Sequence, residues 1–245
     1  MPQPDPNVKG TTVFRIPALG GDRGLACAWI GRSAAPRPDP LELLPLVRSW
    51  PAPPPLVTVA QVHSSRWLRA VPGAAGSRTV AGEADALITS ERGVALGIAT
   101  ADCLPIVVVD PEAPALGAVH AGWRGSLAGV LKETLEAMGS GLGAAPSRMT
   151  VAIGPAIGVC CYRVGEDVAA RFAAAFGPSV VRTDSGAAPR LDLTEVNRRQ
   201  AMAAGVPEAN IEALGVCSRC EADSCHSYRR DGDRAGRMWL LAALI

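Results

Sequence analysis

The chain holds only three histidines, His63, His120 and His226. Two lie in motif-like surroundings: His63 in Gln61-Val62-His63, and His120 in Ala118-Val119-His120-Ala121-Gly122-Trp123-Arg124-Gly125. Cys103 falls between them, in Thr100-Ala101-Asp102-Cys103. Two imidazoles and one thiol form a three-ligand set with a fourth position open, the ligand count of a catalytic zinc centre and not of a closed structural one. A metal held this way can activate water or bind an anionic group. The three residues are 40 and 17 positions apart, so no helical spacing links them and separate strand ends or loops must bring them together. The same residues admit another chemistry, a Cys103 nucleophile activated by a histidine base. The plain alternative is a buried thiol beside two unrelated histidines. Asp102 before Cys103, and the Gly-rich turn after His120-Ala121, favour a site, because sites are built where loops leave strand ends.

Other chemistry-bearing stretches are less defined. Cys217-Ser218-Arg219-Cys220 is half of a common zinc pattern, but Cys225-His226 follows only five residues on, which makes a tight knuckle of unusual spacing. Buried thiols are the alternative there, and vicinal Cys160-Cys161 also reads as buried thiol. Arg229 and Arg230, with Arg234 and Arg237 near them, suit phosphate or carboxylate recognition, and Arg124 could join them. The alternative is a solvated, salt-bridged loop. The Gly154–Tyr162 stretch lacks the Lys-Ser/Thr of a P-loop and the spaced glycines of a dinucleotide loop, so it reads as a structural turn beside the site.

The elements that must position these residues follow from apolar periodicity. Val94–Thr100, Ile106–Asp110, Leu116–Ala121, Met149–Ile153 and Ile211–Val216 read as strands. Helices are expected near Leu41–Ser49, after a Ser126 cap with Leu127, Val130, Leu131, Leu135 and Met138 on one face, at Glu166–Phe176 and at Thr194–Ala204. Residues 217–237 read as a polar loop, and Met238–Ile245 fits helix or strand equally. Adjacent strands mixed with single helices predict an α+β or mixed α/β layered fold, not a Rossmann alternation.

Composition bounds the rest. The 245 residues are 48% hydrophobic and 19% charged, which supports a sizeable core and argues against general disorder. A net charge of +1 gives no reason to expect a nucleic-acid or membrane-surface partner. No run reaches the roughly 18–20 apolar residues of a membrane span, and residues 1–20 lack a signal-peptide pattern, so a cytoplasmic location is expected. Seven cysteines, an odd number in a chain this long, argue for reduced thiols and against a disulfide scaffold. Residues 1–10 are expected to fray, with residues 11–245 forming one domain.

Taken in order, several motifs carry a resemblance. They are Gln61-Val62-His63, Glu83-Ala84-Asp85-Ala86-Leu87-Ile88-Thr89, Thr100-Ala101-Asp102-Cys103-Leu104-Pro105, Val119–Gly125, Ala152-Ile153-Gly154-Pro155 with Cys161-Tyr162, Asp192-Leu193 with Asn197, and Ser227-Tyr228-Arg229-Arg230-Asp231-Gly232 with Gly236-Arg237. Over about residues 56–245 the chain resembles the YfiH, or laccase-domain (multi-copper polyphenol oxidase-like), family. The resemblance implies a layered α/β/β/α sandwich with mixed sheets. It implies metal ligation by His63, Cys103 and His120, with Zn2+ the expected ion and copper an alternative in the same site. It also implies a cytoplasmic enzyme, monomer or homodimer, that phosphorolyses adenosine, inosine, guanosine and methylthioadenosine, or deaminates adenosine. Other members are described as hydrolases that edit peptidoglycan precursors. Residues 11–55 match the family pattern poorly, and His226 replaces its usual aromatic residue. Three histidines cannot supply the ligands of a four-copper oxidase.

The catalytic set expected on this reading is His63, Cys103 and His120 with Asp102, the nearest acid, as proton shuttle or as the partner of an imidazole. Arg229 and Arg230, with Arg124, would orient phosphate. A non-catalytic metal-binding protein is a further alternative.

Overall fold

The computed structural model describes residues 5–8, 10–16, 19 and 24–245. In chain order the strands are β1 (Asp5–Val8), β2 (Thr11–Phe14), β3 (Leu25–Ile30), β4 (Leu56–Ala60), β5 (Trp67–Arg69), β6 (Arg78–Glu83), β7 (Ala86–Thr89), β8 (Ala95–Thr100), β9 (Leu104–Asp110), β10 (Ala115–Ala121), β11 (Thr150–Ile153), β12 (Val181–Arg182), β13 (Arg190–Leu191), β14 (Ile211–Ala213) and β15 (Met238–Leu244). The helices are α1 (Pro40–Val47), α2 (Trp123–Leu127), α3 (Val130–Leu142), α4 (Glu166–Phe176), α5 (Leu193–Ala203) and α6 (Tyr228–Asp231). Thirteen strands form two mixed sheets, in the orders β1-β2-β3-β15-β8-β4-β6 and β14-β11-β9-β10-β7-β5. The ambiguous tail resolves as β15, antiparallel to both β3 and β8 in the middle of the first sheet. Asp5–Val8, inside the segment expected to fray, pairs with β2, while residues 1–4 and 9 lie outside the described residues. No helix among the described residues is long and apolar enough to cross a membrane.

The α/β/β/α layering follows from which face each strand residue covers. Val107, Val109, Leu116 and Ala118 of the second sheet meet Leu96, Ile98, Leu240 and Ala242 of the first in one buried cluster between the sheets. Their sequence neighbours Ile106, Val108 and Val119 point the other way, onto Val130, Leu131, Leu135 and Met138 of α3. Side chains alternate along a strand, so a strand covered on both faces must be apolar throughout; Leu104–Asp110 and Ala115–Ala121 are buried at every position. On the outer face of the first sheet, Leu43, Leu44 and Val47 of α1 cover Ala28, Ile30 and Leu241. Fully burying one such leucine or isoleucine contributes about 1.5–3 kcal/mol relative to leaving it exposed.

One expected cap is displaced. The helix after β10 begins at Trp123 with Gly122 as its N-cap, four residues earlier than a Ser126 cap requires. Ser126 is buried inside α2, where its hydroxyl accepts from Asn197 Nδ2 at 3.0 Å. The helical path breaks at Gly129, whose φ of +83° suits glycine, and restarts as α3. Gly143, at φ +71°, ends α3 in the left-handed conformation expected of a C-terminal glycine.

Candidate metal centre

Three chain segments converge at one end of the two sheets. His63 follows β4 of the first sheet. Asp102 and Cys103 form the turn that carries the chain from β8 in the first sheet to β9 in the second. His120, near the end of β10, pairs in register with Pro105 of β9. Candidate ligand atoms of His63, Cys103 and His120 all lie within 4.8 Å of one another, and the two imidazoles meet edge to face with centroids 4.9 Å apart. Sequence spacing required such a convergence, and the β8–β9 crossing provides it. A Cβ at Gly122 would stand 2.9 Å from Cys103 Sγ and 3.1 Å from His63 Cδ2, so a side chain there would invade the triangle.

The backbone is unusual at two of these positions. His63, at φ 60°, and Asp102, at φ 93°, are the non-glycine residues with positive φ among the described residues. Such conformations cost energy and persist only where neighbours hold them. Asp85 holds the first. Its carboxylate accepts from the backbone N–H of His63 at 2.9 Å and of Ser64 at 2.5 Å, and from Ser64 Oγ at 2.8 Å. Asp102 is held through its side chain, which accepts from Ser218 Oγ and from the Arg229 N–H, each at 2.6 Å. Its carbonyl accepts from the Ile157 N–H at 2.8 Å.

Asp85 is also the residue that sequence reasoning missed. It is fully buried, and its Oδ1 lies 2.8 Å from His120 Nδ1. The role offered to Asp102, orienting an imidazole, belongs to Asp85. Such a carboxylate fixes the tautomer and leaves Nε2 for the metal side. An acid directly before the apolar run Ala86-Leu87-Ile88 was the available signal, since an acid is rarely buried without a partner.

The electrostatics form a chain. Burial opposes the Asp85 carboxylate, but hydrogen bonds from His120 and Ser64 outweigh it and bring the group down to about 2. Burial likewise opposes the His120 imidazolium, yet Asp85 and Cys103 raise it to about 9. At Cys103 burial is again overcome, by hydrogen bonds and charge from His120 and His63, and the thiol falls to about 6. Without a metal, the centre at neutral pH is a carboxylate, an imidazolium and a thiolate in a row. Neutral His, ionised Cys and a buried carboxylate behind one imidazole fit a borderline-soft cation such as Zn2+. A metal at His120 Nε2 would take the place of a proton there, because a ligating imidazole is neutral.

The triangle lines a cavity of about 510 Å³ with Gln61, Asp102, Tyr162, Tyr228, Arg229 and Arg237 among its walls. Of the three arginines expected at a phosphate, only Arg229 is there. Its guanidinium sits 5.1 Å over the Tyr162 ring and donates to the Arg163 carbonyl at 2.8 Å. Arg230 is spent on structure, since it donates to the carbonyls of Ser218, Arg219 and Cys225 and pairs with Asp231. Arg124 lies over Trp123, 4.4 Å from the ring centroid, and lines a separate pocket with Leu127 and Arg171. Arg237 takes the second place in the cavity wall. Burial, followed by the Cys103 charge, raises the Tyr162 hydroxyl, which stays protonated as a donor at neutral pH.

The remaining cysteines separate from the expected pattern. Cys225 is fully buried, and burial with the Glu221 charge pushes its thiol up to about 12. His226 is buried too, with no hydrogen-bond partner for Nε2, and it is not among the residues of the cavity wall. Cys217 and Cys220 therefore do not pair with Cys225-His226. They meet Cys160 and Cys161, which are half-exposed or exposed and not buried thiols.

Fold and site together define a mixed α/β protein with a two-imidazole, one-thiol centre in the wall of a cavity. A sequence model of the family described as multi-copper polyphenol oxidoreductase laccase matches residues 45–245, and the chain belongs to that family. It is 44% identical over 164 residues to a purine nucleoside phosphorylase of Deinococcus radiodurans, covering 66% of this chain and 62% of that one. It is 42% identical over 156 residues to adenosine deaminase RL5 of an unknown prokaryotic organism, covering 62% and 59%. The chain thus spans about three-fifths of the length of these curated relatives. The crystal structure of YlmD from Geobacillus stearothermophilus superposes over 98% of both chains with a TM-score of 0.84 at 29% identity.

Proposed function

We propose that this protein is a zinc-dependent purine nucleoside phosphorylase acting on adenosine, inosine, guanosine and methylthioadenosine. The observation that carries the reading is the His63–Cys103–His120 triangle in the wall of a cavity that Arg229 and Arg237 also line. The name of the Deinococcus radiodurans relative supports it. A zinc ion bound by the three side chains supplies a Lewis acid and an open coordination position. Arg229 and Arg237 bind and orient the phosphate dianion that attacks the anomeric carbon. Arg229 is positioned by Tyr162 beneath it and by Asp102, which fixes its backbone N–H. Positive charge develops on the sugar as the bond to the purine breaks, and the leaving base needs a hydrogen-bond donor. The protonated Tyr162 hydroxyl is the donor the cavity wall offers.

The name of the RL5 relative supports adenosine deamination as a second reaction of the same centre. Asp102 is a poor proton shuttle for it, because both its oxygens already accept hydrogen bonds at 2.6 Å; it acts as a positioning residue. Copper chemistry of the laccase type lacks ligands here, since His226 is the one further histidine and stands outside the cavity wall.

Product analysis of purified protein with adenosine, with and without phosphate, tests the proposal. Phosphate-dependent adenine and ribose 1-phosphate, absent with Cys103→Ala, are expected. Inosine alone moves the reading to deamination. No turnover of any nucleoside by zinc-loaded wild type overturns both and directs the assay to UDP-linked muropeptides.

A further inference from the structure

Cys160, Cys161, Cys217 and Cys220 come from two loops that nothing in their sequence spacing pairs. One runs between β11 and α4, the other between β14 and α6. A parallel bridge joins them at Ala156 and Cys217, with Ala156 N–H donating to the Val216 carbonyl at 3.2 Å and Ser218 N–H to the Ala156 carbonyl at 2.9 Å. That bridge brings all four sulfurs within 4.8 Å of one another. Cys161 Sγ is 3.4 Å from Cys220 Sγ, and Cys160 Sγ is 3.8 Å from Cys220 Sγ. Four sulfurs bound tetrahedrally at about 2.3 Å from one ion stand about 3.8 Å apart, whereas a disulfide needs about 2.05 Å.

The surroundings are those of a thiolate site. Gly158 N–H donates to Cys217 Sγ at 3.3 Å, and Arg219 Nη1 donates to Cys161 Sγ at 3.5 Å. A Cβ at Gly158 would come within 3.3 Å of Cys160 Sγ and 3.5 Å of Cys217 Sγ, so the glycine keeps the sulfurs' space clear. The backbone after Cys217 curls in the manner of a metal knuckle: the N–H groups of Cys220 and Glu221 both donate to the Cys217 carbonyl, at 3.1 and 3.0 Å.

We propose that these four cysteines form a second metal site, a tetrathiolate centre for a d10 cation of the Zn2+ class. Four S–H protons leave as four sulfur–metal bonds form, and no electron transfer is involved. The resulting net charge of −2 is offset by the Arg219 guanidinium and the Gly158 N–H. Four ligands close the coordination sphere, so the role is structural. The staple locks the loop that carries Ile157 and Tyr162 to the loop that carries Ser218 and leads to Tyr228 and Arg229. Both loops meet at Asp102, through Ile157 N–H and Ser218 Oγ. The second site thereby holds one wall of the cavity in place.

The test reads metal and not turnover, so its outcome is independent of the reaction proposed above. Zinc is counted by mass spectrometry on full-length protein purified without chelator. Two equivalents per chain are expected for wild type and one each for Cys103→Ala and Cys217→Ser/Cys220→Ser. Cobalt-loaded Cys103→Ala is expected to show intense sulfur-to-cobalt charge transfer. Cys160→Ser, at an exposed position, should lower that intensity by about a quarter, as three thiolates replace four. A single zinc equivalent in wild type that vanishes with Cys103→Ala overturns the proposal. So does non-reducing peptide mapping that finds any two of the four cysteines joined as a disulfide in freshly purified protein.

Discussion

Around Cys103 the neighbours are two imidazoles; around Cys220 they are three other thiols. The first arrangement stabilises a negative sulfur, and Cys103 falls to about 6 despite its burial. In the second, hydrogen bonds with Cys161 and Cys217 push the Cys220 thiol up, and burial with the same crowding raises Cys160 to about 11. Cys161 is the exception: against burial, Arg219 and the neighbouring thiols bring it to about 7. One cluster holds its charge ready and leaves a coordination position facing a cavity. The other needs a cation before its charges can coexist, and then leaves no position for a substrate. Ligand number and partner type, more than the metal itself, separate chemistry from scaffolding.

The sharpest way to break this contrast is Cys103→Ala. We expect a loss of about 10³-fold or more in kcat/KM, about 4 kcal/mol of transition-state stabilisation, with one zinc retained. An equal loss from Cys217→Ser at unchanged melting temperature would erase the distinction. Asp85→Asn should cost about 10–100-fold in zinc affinity at the cavity or in turnover, because His120 loses the carboxylate that orients it; equilibrium dialysis against a chelator reads the effect. Two neighbouring arginines offer a smaller, paired test. Arg229→Ala should raise the KM for phosphate about tenfold, about 1.4 kcal/mol, whereas Arg230→Ala should leave that KM unchanged and lower thermal stability.

How much of this was legible in the sequence depended on residue scarcity. With three histidines in the chain, His63 and His120 were conspicuous, and Cys103 lay between them in a strand-end context. Asp85 is one of 23 acidic residues and shares full burial with Asp110, so its contacts with His63, Ser64 and His120 are what single it out. Arg229 and Arg230 are adjacent and of one type, yet α6 starts at Tyr228, and successive residues on a helix point about 100° apart. The central strands β8 to β11 were readable because strands buried on both faces are continuously apolar, whereas β1 to β7 were not picked out and the two-sheet layering came from the family resemblance. The pairing of Cys160-Cys161 with Cys217 and Cys220 was not, because a parallel bridge between loops leaves no periodicity. Asp102 looked catalytic beside Cys103, but its turn aims the carboxylate at Ser218 and Arg229.

Cys217→Ser should lower the melting temperature by about 3–6 °C, the shift for roughly 1.5 kcal/mol in a chain of this size, and calorimetry measures it. The smallest effect is in pH. In metal-stripped protein, the lowered thiol of Cys103 is ionised above about 6 and protonated below it. Peptide-resolved alkylation should therefore label Cys103 and Cys161 at pH 7 ahead of Cys160 and Cys220, and labelling of Cys103 should fade as pH falls through about 6. Equal labelling of all four at pH 7 would remove the electrostatic half of the comparison.

β15 occupies the middle of the first sheet although it follows every other strand in sequence, with β3 on one side and β8 on the other. On the ribosome, β1–β3 and β8-β4-β6 emerge long before Met238–Leu244 and share no edge until that segment appears. The nascent chain therefore carries two apolar strand edges, at β3 and β8, for most of its synthesis, the kind of surface that invites wrong partners. A translational pause before Met238 would prolong that exposure, and a chaperone that shields strand edges would matter most during that interval.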